Sequence, residues 1–353
     1  MVGALPNFVK MAAILNAFEA EGVRAELVHT GQHYDHAMSG RFFDDLGLPS
    51  PDRHLAIGSG THAEQTAGVL VAYEQHLAST RPDLALVVGD VNATLAAALA
   101  AAKLGIPVAH VEAGLRSFDW SMPEEVNRVL TDRMSEWLFT PSADANENLR
   151  VEGIPSGRIR LVGNTMIDTL FRLLPSARSR FGELAESVRL PEKYAVVTLH
   201  RPSNVDDEAS LRKALHACEL IAEMIPVIFP LHPRTRLRLE QRCMDLVGRV
   251  VPIDPLGYLE FVSLLDRSSL VITDSGGIQE ETSALGVPCL TFRDSTERPV
   301  TVTHGTNRVV GTDPDRVAEA ASEALSRSWQ PANIPLWDGN AATRIVHTLL
   351  ATQ

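Results

Sequence analysis

Short runs of β-branched and other apolar residues alternate with longer stretches of helical periodicity along almost the whole chain. That alternation predicts parallel sheets joined by crossover helices. In the first half the strand-like runs are Ala25–Thr30, Leu84–Gly89, Pro107–Glu112 and Trp137–Thr140. Helical runs separate them, among them Thr61–Ala78 and the alanine-rich Asn92–Leu104. A second series follows Thr165, with runs at Tyr194–Leu199, Val227–Pro230, Val250–Ile253, Leu270–Thr273 and Pro288–Phe292. The charged, helical stretch from Leu170 to Lys193 reads as the connection between two α/β domains. A last helix, Ala341–Leu350, follows the turn Asp338-Gly339-Asn340 and can complete either domain.

Such sheets bind ligands beyond the carboxyl ends of their strands. The polar residues are concentrated there, at Gly89-Asp90-Val91-Asn92, Glu112-Ala113-Gly114-Leu115-Arg116, His200-Arg201-Pro202-Ser203-Asn204, Leu231-His232-Pro233-Arg234 and Thr273-Asp274-Ser275-Gly276-Gly277. Each alone is an ordinary cap or turn. Five together, with carboxylates in one half and His and Arg in the other, predict a cleft between the domains.

Composition narrows the class. A chain of 353 residues has room for two domains, and 45% hydrophobic with 22% charged residues is globular composition. No apolar run approaches the ~20 residues that cross a bilayer. The opening MVGALPNFVK lacks the layout of a secretory signal. Cys218, Cys243 and Cys289 have no CxxC spacing and read as buried free thiols of a cytoplasmic protein. A net charge of −12 argues against nucleic acid or an anionic membrane as partner.

The stretch TDSGGIQEE suggests a specific chemistry. Asp274 or Ser275 is placed to cap a helix, and Gly276 and Gly277 let an anion approach the backbone N–H groups at its positive end. Glu281, four residues on, lies on the same face one turn back, where a carboxylate accepts hydrogen bonds from a ribose diol. The motif suits a nucleoside diphosphate, with Arg293, Arg298 and His200 as counter-charge. Glu280 has no part in this scheme and reads as solvated or structural. In the first half Asp90, Glu112 and the Met122–Arg128 segment supply acids without metal-ligand spacing, so no metal is expected. Several carboxylates in one cleft let an acid and a base coexist at neutral pH. Pro123-Glu124-Glu125 is also an ordinary helix start, and Glu125 is assigned to that alone.

Taken in order, GDVNATLAAALAA, HVEAGLRSFDWSMPEEVNR, LVGNTMID, TLHRPSNVD, LHPR, PLGYLEFVSLL, TDSGGIQEE, RDSTERPVTV and GTN resemble the non-hydrolysing UDP-N-acetylglucosamine 2-epimerases across nearly the whole chain. The resemblance implies a GT-B fold, two Rossmann-like doubly wound parallel-sheet domains facing a central cleft. Residues 1–168 would form the first domain, with 339–353 packing back on it, and 169–338 the UDP-binding second. It implies a cytoplasmic homodimer without metal or redox cofactor, serving cell-surface polysaccharide synthesis. The reaction would be UDP-GlcNAc to UDP-ManNAc, by elimination of UDP to a 2-acetamidoglucal and re-addition. Lys10, Asp90, Glu112, Glu124 and His200 would surround the chemistry, and Arg128 would hold the sugar. Ser275, Gly276, Gly277 and Glu281 would bind UDP, with Arg298 close by.

The sequence departs from the family in two places. The family's first strand leads into a loop G-x-R-P-x-x-x-K, which here is Gly3-Ala4-Leu5-Pro6-Asn7-Phe8-Val9-Lys10. Leu5 replaces a phosphate-binding arginine, a loss of roughly 1.5–3 kcal/mol. Only Met1 and Val2 precede the glycine, so most of the first strand is expected to be missing and the coding sequence to begin upstream. Gln32 and His33 match a pair with which some bacterial members hold a second UDP-GlcNAc. Tyr34-Asp35 differs from the Arg-Glu expected after it, so no allosteric control is predicted. Two alternatives stand beside the epimerase: a catalytically weak UDP-sugar-binding homologue, motivated by Leu5, and a GT-B glycosyltransferase. Relatives acting on 2,3-diacetamido sugars share the motifs, leaving the hexosamine open.

Overall fold

The computed structural model describes residues 5–31 and 43–351, with side chains from Asn7 onward. Gln32, His33, the Leu5 side chain and the first-strand segment before Leu5 lie outside the described residues. Two compact units form: one runs as far as Arg172 and takes in the segment from Pro335 on, and the other spans Leu173–Ile334.

The first unit holds a parallel pair, β1 (Val28–His29) with β2 (Arg53–His54), and a four-stranded parallel sheet. The sheet runs β3 (Ala85–Val88), β4 (Val108–Val111), β5 (Trp137–Thr140), β6 (Ile159–Leu161) in that order. Val88 pairs with Val111, which brings the ends of β3 and β4 level. The Asn92–Lys103 helix buries Ala93, Ala96, Ala97, Ala98, Ala100 and Ala101. Alanine combines the best helix propensity with the smallest side chain, so this helix lies close to the sheet and to the His62–Thr80 helix. The Ala341–Ala351 helix packs on Leu5–Ala20, and its Ala342 N–H donates to Asp168 Oδ2 at 2.7 Å. Lys10 lies on that first helix rather than in the loop its motif suggests.

The second unit is one six-stranded parallel sheet in the order β12-β11-β10-β7-β8-β9. The strands are β7 (Ala195–Thr198), β8 (Val227–Pro230), β9 (Val250–Ile253), β10 (Leu270–Thr273), β11 (Cys289–Thr291) and β12 (Asn307–Val309). Alternate residues enter opposite cores: Val197, Phe229 and Ile272 on one side, Val196, Ile228 and Val271 on the other. Helices therefore cover both faces, which is why the inner strands β7, β8 and β10 read as unbroken apolar runs. Each such buried side chain contributes roughly 1.5–3 kcal/mol. The chain winds outward from β7 in one direction and from β10 in the other, so the order reverses between these two neighbours. That reversal is where open α/β sheets bind ligands.

Three strands escaped the sequence pattern: β2, β6 and β12 each carry an arginine and at most three residues. Cys218 and Cys289 are buried, and burial pushes each thiol up to about 12. Cys243 corrects the expectation of three buried thiols. It is exposed, with φ 49°, in the turn after the Pro233–Gln241 helix.

Candidate active site

In the first unit the expected residues gather at the ends of β3 and β4. Lys10 forms an ion pair with Glu112 Oε2, and both side chains are almost buried. Asp90 Oδ2 accepts from Arg128 Nε at 3.1 Å and Nη2 at 2.5 Å. The two pairs are neighbours, since a Cβ on Gly89 would lie 3.6 Å from Glu112 Oε2. It would also lie 2.8 Å from Asn7 Oδ1, and φ at Gly89 is +70°, so glycine is required there. Glu112 itself has φ +71°. A left-handed glutamate costs of order 1 kcal/mol or more and marks a site held by its surroundings. Glu124 is half-buried on the first turn of the Pro123–Met134 helix and makes no ion pair among the described residues.

Glu125 is more than a helix start. It is buried, accepting from Arg128 Nη1 at 2.6 Å, from Ser117 N–H and hydroxyl at 2.9 Å, and from Phe118 N–H at 2.9 Å. One carboxylate thus fastens the 117–118 turn to the arginine that holds Asp90. A second buried assembly lies beside the same strand ends. His110 reaches Asp132 Oδ1 at 2.7 Å and the Gly89 carbonyl at 2.8 Å. Asp132 Oδ2 accepts from Gly114 N–H at 3.1 Å and pairs with Arg116 at 2.8 Å. Burial opposes ionisation of Asp132, but His110 and the Arg116 guanidinium outweigh it and hold the carboxyl below its usual range.

The second cluster, within the second unit, sits at the β7–β10 reversal. Asp274 is fully buried and does not cap the helix. It accepts from the backbone N–H groups of His200 at 3.0 Å and Arg201 at 2.9 Å, and from Asn204 Nδ2 at 3.0 Å. His200 Nδ1 lies 3.0 Å away. Burial would raise this carboxyl; the bonds from His200, Asn204 and Arg201 hold it low instead. Ser275 occupies the N-cap position of the Gly276–Leu285 helix, but its side chain makes no capping bond. The expected side-chain cap is therefore absent, because Asp274 is committed to the turn after β7.

Arg298 lies over the start of this helix, and a Cβ on Gly276 would collide with its guanidinium. The arginine is held by Glu280 Oε1 at 3.0 Å and Glu297 Oε1 at 2.5 Å. Glu280 is thus buried and structural, not solvated. Glu297 also meets Arg293 at 2.8 Å and Arg201 at 3.5 Å, so three guanidiniums converge on one buried carboxylate. Glu281 is buried, accepts from the Tyr258 hydroxyl at 2.9 Å, and burial with the neighbouring Glu280 charge pushes it up to about 7. The sequence did not single out His110, Asp132 or Glu297, and it read Glu125 and Asp274 only as a helix start and a helix cap. Each takes its role from residues brought together by folding, and a lone acid or histidine in a pattern carries no mark of that.

Parallel-sheet α/β units, with a helix start and convergent arginines at one switch point and cation-paired carboxylates at other strand ends, have the architecture of nucleotide-binding α/β proteins. A family model described as UDP-N-acetylglucosamine 2-epimerase matches residues 16–350. The chain belongs to that family. It is 42% identical over 359 residues to the UDP-N-acetylglucosamine 2-epimerase of Methanocaldococcus jannaschii, covering 99% of this chain and 97% of the relative. It is 42% identical over 353 residues to the UDP-2,3-diacetamido-2,3-dideoxy-D-glucuronate 2-epimerase of Pseudomonas aeruginosa, covering 99% and 98%. The crystal structure of the Methanocaldococcus jannaschii enzyme with UDP-GlcNAc and UDP matches with a TM-score of 0.93 at 42% identity, over 99% of this chain and 98% of that one. That of the Neisseria meningitidis enzyme bound to UDP-GlcNAc matches with 0.88 at 32% identity, over 99% and 98%.

Proposed function

We propose that the protein epimerises a UDP-N-acetylhexosamine at C-2, converting UDP-GlcNAc to UDP-ManNAc. In the forward step a carboxylate removes the C-2 proton, the C-1–oxygen bond breaks, and UDP leaves with the bonding pair. The product is a 2-acetamidoglucal with a C-1=C-2 double bond. A proton then returns to C-2 on the opposite face and a phosphate oxygen of UDP re-forms the bond at C-1. Asp90, Glu112 and Glu124 supply the base and the acid, with Lys10 and Arg128 holding two of them. Arg128 also meets the sugar. Ser275, Gly276, Gly277 and Arg298 take the diphosphate, His200 stabilises its developing charge, and Glu281 reads the ribose.

The observation that carries this reading is the pairing of Asp90 with Arg128 and Glu112 with Lys10 on adjacent strand ends. Elimination needs carboxylates fixed in place, and a transferase acceptor surface does not. The assay is conversion of UDP-GlcNAc followed in the anomeric proton region: a UDP-ManNAc signal is expected. Saturable UDP binding without product would favour the weakly active alternative. A second substrate is favoured by the equal identity to the diacetamido-uronate enzyme of Pseudomonas aeruginosa. Comparing kcat/KM on the two sugars decides between them. The family likeness further supports a cytoplasmic homodimer.

A further inference from the structure

His110 lies inside β4 with its side chain fully buried, and the chemistry proposed above leaves it unused. Its two ring nitrogens face oxygens that can only accept: Asp132 Oδ1 at 2.7 Å and the Gly89 carbonyl at 2.8 Å. A neutral imidazole would turn one lone pair on an oxygen lone pair at that distance. With a proton on each nitrogen both bonds form, and the cations His110 and Arg116 balance the anions Asp132 and Glu152. Arg116 closes the set through Glu152, at 2.6 and 2.8 Å. Buried charges persist only when paired in this way.

The assembly grips both reactive turns. Gly89, whose carbonyl it holds, immediately precedes Asp90. Gly114, whose N–H donates to Asp132, stands two residues after Glu112. The backbone at Gly89, Glu112 and Gly114 is left-handed, with φ of 70°, 71° and 82°. Such turns need fixing from outside, at least where a glutamate occupies the left-handed region.

We infer that His110 is a buried imidazolium which, with Asp132 and Arg116, acts as a positioning unit for Asp90 and Glu112. Its catalytic consequence rests on the epimerase reading; its charge state does not. The test uses the whole protein with nitrogen-15-labelled histidine, at neutral pH. The slowly exchanging buried ring is expected to show two protonated nitrogens, and one bare nitrogen would overturn the inference.

The kinetic arm uses His110→Gln and His110→Asn, whose amides imitate the Nε2 and Nδ1 donors respectively. Each should lower kcat by ~100-fold, as displacement of reacting groups does. Binding of UDP alone, read by calorimetry, should stay at the wild-type value. A folded variant with wild-type kcat overturns the positioning role. Loss of UDP binding in parallel with kcat would mean general structural damage and also counts against it. If both variants fail to fold, the nitrogen spectrum of the wild type still decides. Should the wild type itself exchange no C-2 proton, the epimerase reading fails while the spectrum continues to report on His110.

Discussion

Glu281 shows how one residue can be picked out by its spacing while its surroundings stay unread. Its spacing from the glycines marks it in the sequence, but not that it is buried beside Glu280 under the Tyr258 hydroxyl. With its value pushed up to about 7 from the ordinary 4.5 of a glutamate, the folded state holds the proton more tightly than the unfolded chain. The stability this provides is complete below about pH 4.5 and is lost as pH rises to about 7. Over that interval wild type should lose about 3 kcal/mol relative to Glu281→Gln, measured by urea unfolding. Equal pH profiles would show that the carboxyl is ordinary. Glu125 is the opposite case, read as a helix start because Pro-Glu-Glu looks like one. Only folding reveals that the 117–118 turn comes back to it. Replacing it with glutamine should destabilise the fold by about 2–4 kcal/mol in chemical denaturation, through the buried Arg128 charge it leaves half-paired. An effect under about 0.5 kcal/mol would place Glu125 among ordinary surface acids.

At the level of elements, the strands rich in apolar residues announced themselves, and those with little apolar content did not. Trp137–Thr140, Val227–Pro230, Val250–Ile253 and Leu270–Thr273 have the limits their sequence predicts. β2, with both residues exposed, has no apolar signature to read. The Gly276–Leu285 helix was expected from its glycines, but not that its first residue lies against Arg298 from a separate loop. Gly276→Ala tests that arrangement. Moving Arg298 from its buried partners Glu280 and Glu297 also costs stability, so chemical denaturation must first show that the variant is folded. The new methyl displaces Arg298, and UDP affinity measured by calorimetry should fall at least tenfold, about 1.4 kcal/mol. Unchanged affinity would remove Gly276 and Arg298 from the diphosphate site.

For the whole molecule, chain order conceals the organisation. The unit built around the carboxylates is completed by a helix that follows the entire second unit, and Asp168 accepts from its backbone. Among the described residues no helix is long and apolar enough to cross a membrane. Light scattering on the purified protein should give twice the mass of one chain; a monomer that retains activity would set the dimer aside. The central claim concerns a proton at one carbon atom. Incubation with UDP-GlcNAc in deuterated water, read at C-2 by NMR, should yield both epimers with deuterium at C-2. A nucleotide sugar that binds saturably yet keeps its C-2 proton and configuration would contradict the account.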